Sequence, residues 1–464
     1  MPFMDGFIGR RRELKALQEA YRSSRSSLIP IYGRRRIGKS ELILHFMKEK
    51  PGVYFLGKQA PAGLQIREFL EEAAAALQEP LLANQAADNW KDALKAVTAS
   101  RRSDRKLILV FDEVQWTTAS SPELLSELQE MWDRDWKTSG NIFLILCGSL
   151  VGFMEQEILG RRSPLFGRRT AQILLKPFGF REAAGFHPGY SLPDKARTYF
   201  ICGGVPFYLK FFSDKQSIPM NIFSQLLQEH APLYREPDFL LREELREVEN
   251  YYAVLLAMAG GNSSAQAISK ASGIESRSLH YYLQQLVALG YLRRRYPLTG
   301  KKPAARSVRY SLEDPLLKFW FRFVYPNTSY LPYMGPELAL QHRILPGLDS
   351  YFGHCFERLC REALPHLYRR EGVTAPFEIG EYWSRDAQID VVGLRDDGWT
   401  DLGECKWGQI RSANKLEQEL EKRVGSYPNP SNATIGRRIF IRGNIPPKAS
   451  KNHLWYGLED LYRE

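Results

Sequence analysis

The stretch "GRRRIGKSEL" constrains this chain more than any other. It fits G-x-x-x-x-G-K-[ST] at Gly33, Gly38, Lys39 and Ser40. The strand-like "LIPIY" precedes it and the helix-like "SELILHFMKEK" follows. A strand, a glycine-bearing turn and a helix start bring backbone N–H groups and the positive helix end to one point, which makes an anion cradle. Gly33, Arg34, Arg35, Arg36, Ile37, Gly38, Lys39, Ser40 and Glu41 are the predicted phosphate-binding segment. Lys39 is expected to reach the outer phosphates of a nucleotide, and the Ser40 hydroxyl to hold Mg2+.

The fold class follows from what surrounds this loop. From Ser27 to Lys210, apolar runs such as "KLILVFDE" and "NIFLILCGS" alternate with amphipathic segments. That pattern predicts an α/β domain, a parallel sheet covered by helices. "LILVFDEVQW" delivers Asp112 and Glu113 to the carboxyl end of a strand, where ligands bind in such sheets. Asp112 is expected in the outer sphere of Mg2+ and Glu113 as the group that polarises an attacking water. Ser149, closing "IFLILCGS", reads either as a γ-phosphate sensor or as a simple turn. Arg168 and Arg169 read either as charge stabilisers, in cis or from a neighbouring copy, or as a solvated pair. Phe7 and Ile8 either wall the adenine or open a basic helix.

The ordered motifs "FIGRRREL", "GRRRIGKS", "LVFDEVQW", "CGSLVGFME", "SPLFGRRT" and "GGVPFYL" resemble the archaeal-type ATPases, a P-loop clade close to AAA+ and STAND proteins. The resemblance spans Phe7 to Leu209. It implies ATP rather than GTP, and a small helical lid carrying Gly203 to Leu209 near the nucleotide. "YSLEDPLLKFWFRFVYPN" also resembles the family, in which it leads towards the C-terminal domain.

Between Tyr251 and Pro297 the grammar is that of a winged helix-turn-helix: an Ala/Ile-rich helix, a turn at Ser272–Gly273, then a helix carrying Leu279, Tyr282, Leu283, Leu286 and Leu289 and closed by Gly290. The following segment, Arg293 to Tyr310, holds seven Lys or Arg and no acidic residue, and reads as a basic wing. Ser276, Arg277 and His280 would face a DNA groove while the wing grips phosphates. The same module also docks proteins. A net charge of +11 leans towards a polyanionic partner, and DNA is the expected one.

In the last hundred residues, "YFGHCFERLCREAL" places Glu357 beside a helix stripe, "AQIDVVGL" carries Asp390, and "DLGECKWG" carries Glu404 and Lys406. One or two E-x-K triplets arise by chance in a chain this long. The fourteen-residue spacing from Asp390 to Glu404 and the helix glutamate raise this triplet above that background. Asp390 and Glu404 would hold Mg2+, and Lys406 would orient or deprotonate a water or stabilise the pentavalent transition state. Alternatively, Glu404 and Lys406 form only a same-face ion pair. The stretch Tyr351 to Trp407 resembles the PD-(D/E)XK nuclease core, with Ile389 where the named pattern has proline. This resemblance implies a restriction-endonuclease-like α/β domain at the C-terminus.

The expected division is therefore residues 1–180 ATPase, 181–245 helical lid, 246–325 winged helix and 326–464 nuclease-like domain, with "FVYPNTSYLPYMGPE" as the linker into the last. No signal-peptide core and no run of eighteen apolar residues occurs. Five cysteines without a C-x-x-C pair speak against a disulfide framework or zinc ribbon. A cytoplasmic, membrane-free protein is expected, possible as a homo-oligomer.

Overall fold

The computed structural model describes residues 6–102, 104–301, 303, 307–447, 449–450 and 452–463. Lys302 and Arg306 of the basic segment lie outside them. The described chain divides into two compact units. One comprises residues 1–177 with Val205–Phe207, and the other Phe178–Gly204 with the chain from Tyr208 onward.

The first unit is built on five parallel strands, β1 (Ser27–Tyr32), β2 (Gly52–Leu56), β3 (Leu107–Asp112), β4 (Ile142–Gly148) and β5 (Ile173–Leu174). Their order is β2-β3-β4-β1-β5. β1, β3 and β4 are buried along their whole length, as strands covered on both faces must be. Two apolar layers enclose the sheet. Phe55, Phe69, Trp90 and Phe111 pack on one face, and Ile29, Ile31, Phe46 and Phe143 on the other. Because β4 lies between β1 and β3, the end of β4 falls between the phosphate loop and the Asp112–Glu113 turn.

The second unit begins with short helices. Its helix Val248–Ala259 is followed by Ala265–Ser272 and Ser276–Ala288, then by the antiparallel pair β6 (Leu292–Arg295) and β7 (Arg309–Leu312). Leu279, Leu283 and Leu286 bury one face of Ser276–Ala288, and Ser276, Arg277 and His280 lie exposed on the other. Gly290, at φ 75°, ends this helix in the left-handed region. Its N–H reaches Val287 O at 3.0 Å, and the Tyr291 N–H reaches Leu286 O at 2.9 Å, the paired bonds of a glycine-stopped helix.

A mixed sheet closes the chain: β8 (Phe377–Trp383), β9 (Gln388–Arg395), β10 (Trp399–Lys406), β11 (Thr434–Ile441) and β12 (Leu454–Tyr456), in order β12-β11-β10-β9-β8. β8, β9 and β10 form an antiparallel meander, whereas β11 and β12 run parallel to β10. Helix Ala413–Gly425 supplies the crossover that a parallel β10–β11 pair requires. The 26-residue helix Leu345–Arg370 packs on β9 and β10. There Tyr368 donates to Asp401 at 2.6 Å, Asp401 pairs with Arg438 at 2.9 Å, and Arg438 pairs with Glu371 at 2.7 Å. Gly393 is required beneath this network, since a Cβ there would meet the Tyr368 hydroxyl at 2.0 Å.

Two segments read from the sequence as lid and linker take up packed positions. The segment predicted as a lid does not form one separate piece. Its helix Leu192–Cys202 joins the second unit, where Tyr199 donates to Glu362 at 2.8 Å and Phe200 meets Phe352 at 5.9 Å. The predicted linker is packed as well. Phe323, Val324, Asn327 and Leu331 are buried, because its aromatic and apolar residues supply core. All five cysteines are free. No helix among the described residues is long and apolar enough to cross a membrane.

Candidate functional site

At the carboxyl edge of the first sheet the chain turns from β1 into helix Lys39–Met47 through the predicted loop. Gly33 adopts φ 148° with Leu175 O only 2.3 Å from where a Cβ would stand, so no larger residue fits. Gly38 caps the helix at φ 85°, and Arg36 is also left-handed at φ 69°. Ile37 is buried and anchors the loop. The ring of Phe207, four residues beyond Gly203, lies 4.3 Å from the Arg36 guanidinium.

Lys39 is buried, with its Nζ donating to Gly33 O at 2.9 Å and Arg34 O at 3.1 Å, so the ammonium spans the loop. Ser40 Oγ donates to Asp112 Oδ2 at 2.6 Å. Tyr54 donates to the same oxygen, and burial together with the Asp112 charge pushes the Tyr54 hydroxyl well above its ordinary range. Glu113 sits at φ 48°, a strained position for a non-glycine residue at a strand–helix turn. Its Oε2 accepts from Ser149 Oγ at 2.6 Å and from the Gln115 amide. Ser149 therefore contacts the carboxylate expected to polarise water. The arrangement suits Mg2+ by donor chemistry, offering a hydroxyl and a carboxylate that already meet.

The flanking residues fall differently. Phe7 stacks on His45 at 4.1 Å, which occupies one ring face, and Ile8 is half-buried beside it. Arg168 forks onto Asp133, with Nε–Oδ1 at 2.9 Å and Nη2–Oδ2 at 2.6 Å, so its guanidinium is already engaged by a carboxylate. Arg169 is exposed and close enough to Tyr32, at the end of β1, to act on its hydroxyl. Sequence reasoning missed Arg10, which is buried and donates to Ile37 O at 2.9 Å and Lys176 O at 2.7 Å, tying the N-terminal segment to the loop. It also missed Tyr54 and Gln115. Only Gln115, two residues after Glu113, carried a local signal.

The second cluster lies in the second unit. The β9–β10 register ends at Gly403↔Val391, so Glu404 and Asp390 are next in line across the two strands. There the ladder stops and side chain replaces backbone: Asp390 Oδ2 accepts the Cys405 N–H at 3.0 Å. Asp390 and Glu404 are both buried, Glu357 is half-buried on its helix, and Lys406 is exposed. Arg423, from helix Ala413–Gly425, pairs with Glu404, and Arg361 donates to Asp390 O at 2.5 Å. Burial, then the nearby Asp390 charge, pushes Glu357 up to about 8 and Glu404 to about 7. Burial also raises Asp390, against the Cys405 N–H. Among the described residues no three His, Cys, Asp or Glu form a metal-sized group. Asp390 and Glu404 thus remain as a carboxylate pair, the number Mg2+ uses when water and substrate phosphate complete its shell.

The basic segment is partly committed within the unit. Arg295 pairs with Glu381 at 2.6 Å, and Arg309 lies over Trp383 at 4.7 Å. A bulge in β8 between Gly380 and Tyr382 frees the Glu381 carbonyl, which accepts the Leu298 N–H at 2.8 Å. The expectation that this whole segment faces outward to grip phosphates is therefore corrected for Arg295 and Arg309, which bind the C-terminal sheet instead.

Residues 7–212 match the family model of an ATPase domain predominantly from Archaea, and residues 320–418 match one described as archaeal and bacterial proteins of unknown function, DUF234. An uncharacterized protein of Methanocaldococcus jannaschii is 28% identical over 423 residues, covering 90% of this chain and 91% of that protein. An uncharacterized ATP-binding protein of the same organism is 41% identical over 44 residues, 10% of this chain and 75% of its own. Among solved structures, a Walker-type ATPase of Pyrococcus abyssi aligns at 18% identity and TM-score 0.49, over 68% of this chain and 96% of its own. The Aeropyrum pernix ORC2 protein, solved as ADPNP–ADP complexes, aligns at 15% and 0.46 over 71% and 98%. The chain therefore carries an archaeal-type ATPase domain in residues 7–212 and a DUF234 domain in residues 320–418.

Proposed function

We propose that this protein binds and hydrolyses ATP in its first unit and acts on DNA through its second, with Asp390 and Glu404 as a Mg2+-dependent phosphodiester-cleaving pair. The observation that carries the ATP reading is the convergence of Lys39, the Ser40–Asp112 pair and the Glu113–Ser149 pair at one sheet edge. Lys39 would exchange its loop carbonyls for the outer phosphates, and Ser40 with Asp112 would hold Mg2+. That ion, when bound, neutralises phosphate charge. Glu113 would accept a proton from water, with Ser149 and Gln115 fixing its orientation.

In the second unit, helices Ala265–Ser272 and Ser276–Ala288 with the β6–β7 pair are read as a winged helix. The mixed sheet with Leu345–Arg370 is read as a nuclease-like core. The cross-strand meeting of Asp390 and Glu404 beside Glu357 supports this. Lys406 would orient water or meet charge on the scissile phosphate. The test is cleavage of plasmid and single-stranded DNA with Mg2+ or Mn2+, comparing wild type with Asp390→Ala. Cleavage lost in the variant supports the reading, and equal background cleavage rejects it.

A second reading has its own support. Arg423 already neutralises Glu404, and both Glu357 and Glu404 are pushed towards the protonated form near neutral pH. On that reading the last domain does not cut, and nucleotide state controls DNA or protein binding. DNA affinity that changes between ATP and ADP, with no cleavage under any metal, would favour it. An arginine acting between copies, with the exposed Arg169 the candidate, would require a homo-oligomer.

A further inference from the structure

A cleft of about 1310 Å3 opens inside the second unit, and it was not anticipated from the sequence. It is lined by the basic β6–β7 segment, by the start of the long helix including Glu357, and by the β8 edge. Among the described residues nine Lys or Arg and five Glu line its walls, an excess of positive charge.

These cations divide into two sets. Arg293 pairs with Glu313 at 3.3 Å, Arg295 and Arg361 with Glu381 at 2.6 and 3.7 Å, and Arg358 with Glu362 at 3.0 Å, while Arg309 lies over Trp383, so these five build the wall. Arg294, Lys301, Lys318 and Arg322 have no carboxylate partner within 4 Å among the described residues. Arg294, Lys301 and Arg322 are exposed. Tyr296, also in the lining, is 43% exposed, and its ring stacks on no other ring among the described residues. Among the described residues the Lys318 ammonium rests only on Cys355 Sγ at 3.9 Å and over the Tyr351 ring. Cations without a carboxylate partner beside an open aromatic face are what a nucleic-acid strand uses: phosphates on the cations, a base on the ring. One turn of duplex is about 34 Å long with a major groove about 12 Å wide, too large to lie in such a volume.

The geometry points to this cleft as a binding channel for a single nucleic-acid strand, whose phosphates meet Arg294, Arg322, Lys301 and Lys318, with one base stacked on Tyr296, leading to Glu357 at the carboxylate cluster. The assignment rests on the reading of the second unit as nucleic-acid-acting, and it adds which form of the polymer that unit takes and by what route.

The test uses the full chain carrying Asp390→Ala, in EDTA, so that no strand is cut, and follows fluorescence polarisation of a labelled twelve-nucleotide oligo-dT and of a blunt duplex. The strand is expected to bind more tightly than the duplex. Arg294→Ala with Arg322→Ala should weaken strand binding at least about 10-fold and flatten its salt dependence by roughly 1.4 in log–log slope, about 0.7 per lost phosphate contact. Tyr296→Ala should weaken it about 5- to 150-fold, and Tyr296→Phe should restore it. Lys215→Ala, an exposed cation of the second unit outside the cleft lining, should leave strand affinity unchanged. Thermal melting checks that each variant is folded. Photocrosslinking of a bromouracil strand to Tyr296 in the otherwise unaltered cleft gives a second readout.

Tighter duplex binding, an unaffected double arginine variant, or crosslinks elsewhere would overturn the proposal. So would lost binding in the arginine variant with Tyr296→Ala unchanged, since any acidic polymer would then serve. Strand binding that behaves as expected in a wild-type chain that never cuts rejects cleavage and leaves the channel standing. Cleavage that persists unchanged in the cleft variants rejects the channel alone.

Discussion

The nucleotide loop and the carboxylate cluster of the last sheet use the same residue types in opposite ways. Both set two acidic groups near strand ends with a lysine close in the motif, Lys39 at a helix start and Lys406 at the end of β10. At the loop, Asp112 and Glu113 are met by neutral hydroxyls, Ser40 at 2.6 Å and Ser149 at 2.6 Å, and Lys39 is held on backbone carbonyls. In the last sheet, Asp390, Glu404 and Glu357 press on one another in a buried setting, Arg423 takes one of them, and Lys406 stays outside. The first arrangement keeps carboxylates ready for a cation. The second raises their proton affinity and spends an internal cation on them. Chemistry is therefore expected first at the loop, and at the sheet only where metal or phosphate displaces Arg423.

The largest effect expected from this contrast is at the loop. Lys39→Ala should cut ATP turnover more than about 100-fold, measured by phosphate release, because it removes the cation that spans the loop. Next comes the buried face of the last sheet. Arg438→Met strands Asp401 and Glu371, and should destabilise the second unit by about 3–5 kcal/mol in urea unfolding. An unchanged midpoint would show that the network contributes little.

These two positions also show what a sequence displays. Lys39 was legible because G-x-x-x-x-G-K-[ST] is a fixed spacing in sequence, and the structure places it at the strand–helix turn that this spacing implies. The same holds for Asp112 and Glu113 at the end of an apolar strand. Asp390 and Glu404 were legible as a pair because antiparallel register converts a fourteen-residue separation into a facing position. Arg438, Arg423 and Arg10 were not, since each acts on a residue far away in the chain, and nothing local marks a basic residue as buried. The basic segment misled in part. Its charge is real, but the bulge at Glu381 and the Trp383 ring draw Arg295 and Arg309 inward. The packing of the segments read as lid and linker was hidden for the same reason, as amphipathic helices and aromatic residues take their packing partners from tertiary structure.

A smaller effect sharpens the electrostatic half of the contrast. Glu357 is raised to about 8, so between the ordinary glutamate range and pH 8 the folded chain holds a proton that the unfolded chain has lost. Stability from this group is thus highest at low pH and falls as pH rises. Glu357→Gln should melt higher than wild type at pH 8, by about 1–3 kcal/mol, with the gap closing towards pH 5. A gap that widens at low pH would reverse the account. The smallest effect is expected at Arg168. Because Asp133 holds it, Arg168→Ala should change ATP turnover less than about threefold. A loss as large as that of Lys39→Ala would place Arg168 on the phosphate after all.

The most direct test of the central claim is Glu113→Gln, assayed for ATP binding and for hydrolysis in the same preparation with Mg2+. The geometry predicts ATP affinity within about threefold of wild type and turnover reduced about 10²–10⁴-fold, since only the water-polarising carboxylate is lost. Hydrolysis at the wild-type rate would contradict the assignment of Glu113, and with it the reading of this sheet edge as the ATP-hydrolysing site.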